Sequence, residues 1–304
     1  MRRNIQTPIS LRVFVGMLVF LFAATTANAA TLQQIKDRGF INIAVANEMP
    51  YGYLAGKDDA EGFGPSTARQ VLADMGINEI HWSAVEFGQL ISAVNSGQVD
   101  MVAASQAIEP ERCKQVLFSR PNTSYGEGLL VRAGNPKDLH SYSDIADDKQ
   151  LRLGVVKGTT EQQFAPTAGV GNKQLVALDA NTDAAEALTS NRIDAYAGTQ
   201  FSVADIADKN RRVSVAQPYP EKPFAWNPFT DPVAGDQKLR SWGAFTFAKK
   251  DAALRDAFDQ HLQAFQQTRR WRDILARYGL DERSIDAIDK KTTAELCEDS
   301  AAAE

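Results

Sequence analysis

Histidine and cysteine are scarce in this chain, three and two among 304 residues, and neither forms a pattern. His81, His140 and His261 lie too far apart for metal-ligand spacing, so no metal or cofactor site is expected. No glycine-rich phosphate loop, Gly-x-Ser-x-Gly turn or zinc-protease helix occurs, which removes the usual signatures of nucleotide-dependent and hydrolytic enzymes. Positive charge is short as well. Lysine and arginine number 33 against 38 acidic residues, and setting aside the three arginines of residues 1–29 leaves 30 against 38, a net −8. Nucleic acid is a poor partner for such a chain. Long apolar runs are also missing: Val13 to Ala24 is well short of the ~20 residues that a spanning helix needs.

What is present begins with a targeting pattern. Arg2 and Arg3 precede that apolar run, and Ala27-Asn28-Ala29 supplies small residues for cleavage, so residues 1–29 read as a signal peptide removed after Ala29. No cysteine stands at the cleavage site to carry a lipid, which points to a freely diffusing periplasmic protein. About 275 residues then remain, above the ~250 at which one core usually splits, so two lobes are expected. In an oxidising compartment Cys113 and Cys297 are expected to form a disulfide; the competing reading, a reactive thiol beside Arg112, has no nearby histidine to activate it.

Helix and strand signals alternate. Thr31 to Gly39 reads as a short helix and Phe40 to Val45 as a buried strand; Pro65 opens a second helix that runs to Gly76, and a strand follows near Ile80 to Val85. This is an α/β pattern with mostly parallel sheets. Ala93-Val94-Asn95-Ser96-Gly97-Gln98-Val99-Asp100 resembles Ala187-Leu188-Thr189-Ser190-Asn191-Arg192-Ile193-Asp194, each a helix end, a turn and a strand start, with Gly97 and Asn191 at the left-handed stop. Two similarly built lobes are implied. Phe118 to Tyr125 reads as a loop crossing between them, followed by a strand Gly128 to Arg132. Leu153 to Val156 opens the second sheet, Trp242 to Phe247 returns, and Ala252 to Tyr278 is helical. The stretch 217–232, rich in proline and aromatics, is expected to be an ordered loop.

Several stretches carry a family resemblance. Ala46-Asn47-Glu48-Met49-Pro50-Tyr51-Gly52, Ile108-Glu109-Pro110-Glu111-Arg112, Phe118-Ser119, Gly158-Thr159-Thr160 and Arg277-Tyr278-Gly279-Leu280 resemble the polar-amino-acid branch of periplasmic solute-binding proteins of ABC importers. The opening Asn47 to Gly52, the run Pro110 to Val116, the run Gly134 to Tyr142 and the ending Thr292 to Cys297 are similar to the ectoine and hydroxyectoine binders among them. The resemblance implies a type II periplasmic-binding-protein-like fold: residues 30–125 and 246–304 in lobe 1, residues 126–245 in lobe 2, and a two-segment hinge. It also implies a binding protein rather than an enzyme. The expected partners are a small zwitterionic ligand and an inner-membrane ABC permease, with the protein itself a monomer. An exported enzyme on the same fold and a sensory receptor domain are the rival classes.

By the resemblance Arg112 clamps the ligand carboxylate, which suits its planar fork; the competing reading is a surface ion pair with Glu109 or Glu111. Thr159 and Thr160 complete that carboxylate site from the second lobe, or simply cap a helix. Glu48 and Tyr51 meet the cationic end and Phe87 adds a wall, an arrangement that favours a delocalised cation. Two departures bear on the ligand. Thr199 stands where amino-acid binders place an aspartate for the α-ammonium group, which argues for ectoine or 5-hydroxyectoine. Ala107 stands where ectoine binders place an aromatic, leaving Tyr196 or Trp226 to fill the gap, or a bulkier ligand.

Overall fold

The computed structural model describes residues 30–216, 240–280 and 282–298. Helix α1 (Ala30–Arg38) ends at Gly39, whose φ of 85° is left-handed, and β1 (Phe40–Val45) follows with Ile41, Ile43, Ala44 and Val45 fully buried. A small hairpin, β2 (Tyr53–Leu54) and β3 (Ala60–Glu61), precedes α2 (Phe63–Asp74), which starts two residues ahead of Pro65. Then come β4 (Glu79–Ala84), a 3-10 turn Phe87–Gln89 running into α3 (Leu90–Ser96), β5 (Met101–Ala107), the single turn α4 (Pro110–Cys113), β6 (Val116–Phe118) and the long β7 (Thr123–Arg132).

The second half contains α5 (Tyr142–Asp147), β8 (Leu153–Val156), α6 (Thr160–Thr167), β9 (Leu175–Leu178), α7 (Ala184–Thr189), β10 (Ala195–Thr199), α8 (Gln200–Lys209) and β11 (Val213–Val215). The chain returns with β12 (Arg240–Ala248) and closes with α9 (Ala252–Gln266), α10 (Arg269–Arg277), α11 (Glu282–Ile288) and α12 (Thr293–Glu298).

Strand order is β4-β1-β5-β12-β7-β10-β8-β9, with β6 on β12 and β11 on β7. Both ends are parallel, β1 with β4 and β5, and β8 with β9 and β10, while β12 and β7 run antiparallel through the middle. β7 belongs to both halves: Thr123 to Gly126 pairs with β12, and Glu127 to Val131 pairs with β10. The two halves have separate cores, one around Ile41, Phe63, Phe245, Phe258 and Trp271, the other around Leu129, Tyr142, Leu153 and Val155. This is a two-lobed α/β architecture with mostly parallel sheets.

The repeated segment is also a structural repeat. Gly97 and Asn191 have φ of 78° and 59°, and Asp100 and Asp194 stand one residue ahead of β5 and β10. Two local readings need correction. Thr123 to Tyr125 is strand rather than loop, because register with Trp242 and Ser241 outweighs the local turn chemistry of Pro121 and Asn122. The helix expected over Ala252 to Tyr278 is two helices, broken where the Thr268 hydroxyl accepts from the Trp271 amide and starts α10. Residues 1–29, expected to be a targeting segment, the stretch 217–232 and Trp226 lie outside the described residues.

Candidate functional site

The two halves meet over a narrow cleft, walled by Ala46, Glu48 and Phe87 on one side and by Val156, Thr159, Glu161, Ala180, Asn181, Tyr196 and Gly198 on the other. Each wall comes from the carboxyl ends of strands, where open α/β sheets leave a crevice.

Glu48 follows β1 in a loop pinned by two backbone bonds to Gly52, at 3.0 and 2.9 Å. Gly52 is needed there because a Cβ would lie 2.5 Å from the Ala103 carbonyl oxygen of β5. The Glu48 side chain reaches into the cleft, where the Ser202 hydroxyl of α8 donates to Oε1 at 2.6 Å. Thr199 caps α8: its hydroxyl accepts from the Ser202 amide (3.2 Å) and donates to the Ser202 hydroxyl (3.0 Å), which aims Ser202 at Glu48. Burial lifts the Glu48 carboxyl to about 7; the Ser202 bond opposes the rise and the neighbouring Glu161 adds to it.

Arg112, on α4 directly after β5, is 5 % exposed. Its Nη1 donates to the Ala107 carbonyl (3.0 Å), its Nη2 donates across the cleft to the Gly158 carbonyl (2.8 Å), and Nε pairs with Glu109 at 3.1 Å. The guanidinium sits 5.5 Å from the Phe87 ring centre. Three of its five N–H groups are engaged in this way, so one on each Nη is left for a further acceptor. The pairing with Glu109 is real, but it is a largely buried pair within one half, 6 % and 16 % exposed, not a solvated surface one.

Glu161, in the first turn of α6, is 3 % exposed and accepts from the Thr160 hydroxyl at 3.3 Å. Burial raises its pKa, opposed by its own backbone amide at the helix start and by Arg112. Glu127 of β7 accepts from the Tyr142 hydroxyl at 3.2 Å; burial, then Glu161, pushes it well up. Asp179 at the rim is ion-paired with Lys157, which lowers its pKa.

Of the residues singled out from sequence, Glu48, Phe87 and Thr159 line the open cleft, while Arg112, Tyr51, Thr160 and Thr199 stand behind that surface. Tyr51 is 2 % exposed and packs edge-on against Phe63 and Tyr125, with ring centres 5.2 and 5.3 Å away. Its hydroxyl has no hydrogen-bond partner among the described residues, the nearby Thr199 hydroxyl being turned to Ser202. Burial, Tyr125 and Glu48 raise its pKa far up. Thr159 donates to the Val156 carbonyl (2.8 Å) instead of capping α6 with its side chain. Tyr196 supplies the aromatic face on the second side, and Gly198 makes room for its ring, since a Cβ there would lie 2.8 Å from it.

Cys113 and Cys297 form a disulfide with Cα atoms 5.7 Å apart, fastening α12 to the turn that carries Arg112. Among the described residues no group of histidine, cysteine or carboxylates has the arrangement of a metal site, and no helix is long and apolar enough to cross a membrane.

Residues 41–281 match the bacterial extracellular solute-binding proteins, family 3. The chain belongs to that family. This family 3 protein is 41 % identical over 282 residues to a probable amino-acid ABC transporter periplasmic-binding protein, y4tE, of Sinorhizobium fredii, covering 92 % of this chain and 90 % of the relative. Its fold superposes on a crystal structure of EhuB in complex with hydroxyectoine with a TM-score of 0.77 at 29 % identity, over 88 % of this chain and 97 % of that one. An ancestral amino-acid-binding protein described as a precursor of cyclohexadienyl dehydratase shares the fold, with a TM-score of 0.67 at 21 % identity over 82 % of this chain and 98 % of that one. The family 3 protein is thus an amino-acid-type ABC transporter solute-binding protein, of a kind whose relatives are periplasmic.

Two of its cleft groups escaped the reading of the sequence. Glu161 directly follows the Thr159-Thr160 pair, and one further residue into α6 would have found it. Ser202 carried no local signal, because its role depends on α8 reaching across to Glu48.

Proposed function

We propose that this protein captures a small zwitterionic compatible solute, ectoine or 5-hydroxyectoine, by closing its two lobes and hands it to an ABC permease in the inner membrane. In this reading residues 30–125 and 246–304 form one lobe and residues 126–245 the other; the chain is cleaved after Ala29 and acts as a periplasmic monomer with no nucleic-acid partner. The carrying observation is the combination of a carboxylate, Glu48, that lines the same cleft as the Phe87 and Tyr196 rings with a buried guanidinium, Arg112, that keeps two donors unspent. Glu48 and the rings take the delocalised cation. Arg112, with Thr159 and Thr160 at the start of α6, takes the carboxylate. Thr199 serves indirectly, by orienting Ser202. Likeness to a hydroxyectoine-bound structure supports the choice of solute.

A different amino acid or derivative is the second reading. Ala107 favours it, since its position offers Arg112 a carbonyl and the cleft no ring. Titration calorimetry with ectoine, 5-hydroxyectoine and a panel of amino acids tests the choice: the two ectoines are expected to bind most tightly, and tight binding of an amino acid with no heat from ectoine overturns the solute assignment. A solute recovered unchanged after long incubation is expected of a binding protein; turnover would make it an enzyme.

A further inference from the structure

We propose that Glu161 is a second, specificity-determining carboxylate for the cationic end of the solute, placed across the cleft from Glu48, so that closure selects a delocalised cation with N–H donors on two sides, an amidinium or a guanidinium. This rests on the reading above that the cleft is the solute site. The charged residues that line the cleft surface are the carboxylates Glu48, Glu161 and Asp179, with Arg112 standing behind them. Asp179 is spent on Lys157 and 62 % exposed, which leaves the two enclosed carboxylates. They come from opposite halves of the molecule, one from the loop after β1 and one from α6.

Neither carboxylate is saturated. Ser202 gives Glu48 one donor, and Glu161 receives its own amide and the Thr159 and Thr160 hydroxyls, against about four lone-pair positions on each group. Glu161 adds to the rise of the Glu48 carboxyl, so ionising both carboxylates together is unfavourable where water is excluded. A cation between them reverses the sign of that interaction and draws the two halves together. A quaternary ammonium brings charge without N–H donors and leaves both carboxylates with unmet lone pairs. The raised pKa values of Glu48 and Glu161 agree with this picture, since burial makes each group an unwelcome ion.

Calorimetry on the wild type, Glu161→Gln and Arg112→Gln, with ectoine, L-arginine, glycine betaine and proline as probes, tests the inference. The wild type is expected to bind an amidinium or guanidinium probe at least tenfold more tightly than betaine or proline, and Glu161→Gln to lose at least tenfold for that probe while melting no lower than the wild type. A residue that only caps α6 would leave affinity unchanged, because glutamine still accepts from the amide. Small-angle scattering of the wild type alone gives a measure independent of the variant: compaction with the N–H cation and none with betaine. Unchanged affinity in Glu161→Gln, or betaine binding as tightly as ectoine or arginine, overturns the inference. If binding is then lost in Arg112→Gln alone, the solute-capture reading stands. A wild type that binds neither N–H cation overturns both.

Discussion

Replacing Glu48 by glutamine should stabilise the empty protein at alkaline pH while abolishing capture of the cationic end. The Glu48 carboxyl is lifted from 4.5 to about 7, chiefly by burial. Below pH about 4.5 the folded and unfolded chains both hold this proton; between 4.5 and 7 only the folded chain does, so this contribution to stability falls as pH rises through that window. A tenfold difference in proton affinity between the two states corresponds to about 1.4 kcal/mol, so the buried group costs roughly 3 kcal/mol at pH 8 relative to pH 4. Glutamine keeps an acceptor for the Ser202 hydroxyl and carries no charge. Melting curves of the empty wild type and Glu48→Gln at pH 5 and pH 8 should therefore diverge, the wild type losing several degrees more on alkalinisation. Glu161 and Glu127, also raised by burial, remain in both proteins and largely cancel in the difference. Parallel profiles would refute the claim that Glu48 is enclosed as described.

Arg112→Gln should weaken binding of any carboxylate-bearing solute by about a hundredfold in calorimetry, and Arg112→Lys should recover little of it, because one ammonium cannot reach the Ala107 and Gly158 carbonyls while presenting a fork. Gly158→Ala should hold the cleft ajar: the added Cβ would sit 2.9 Å from Gly88 Cα on the facing wall, and φ is +77°, so at least tenfold weaker binding with little compaction in scattering is expected. Reducing the disulfide opens a loop spanning 184 residues, for which chain entropy sets an upper figure of about 5 kcal/mol of lost stability. Intact mass with alkylation before and after reduction should show no free thiol in the native protein, and the reduced form should melt lower.

The fold was largely legible because its signals are local. Gly97 and Asn191 adopt the left-handed turn their positions demand, and β1, β4, β8 and β12 lie where apolar runs placed them. Departures came where pairing overrode local chemistry, as at Thr123 to Tyr125, or where a cap split a continuous apolar stripe, as at Thr268. Within the site, Glu48 and Arg112 stood out because each follows a strand in a short, recognisable stretch. Tyr51, taken from the same stretch, proved to face the core beside Phe63 and Tyr125 rather than the open cleft.

Residue order by itself determined the α/β alternation, the family, the two cysteines available for bridging, and Glu48 and Arg112 as candidate charges of the cleft. Tertiary structure alone decided how those charges behave: that Ser202, 154 residues from Glu48, hydrogen-bonds it, that Gly158 receives Arg112 from the other half, and that Glu161 is buried within reach of both. The reason is physical. Helix and strand preferences depend on neighbours along the chain, whereas desolvation and charge coupling depend on neighbours in space, which exist only once the two halves are brought together.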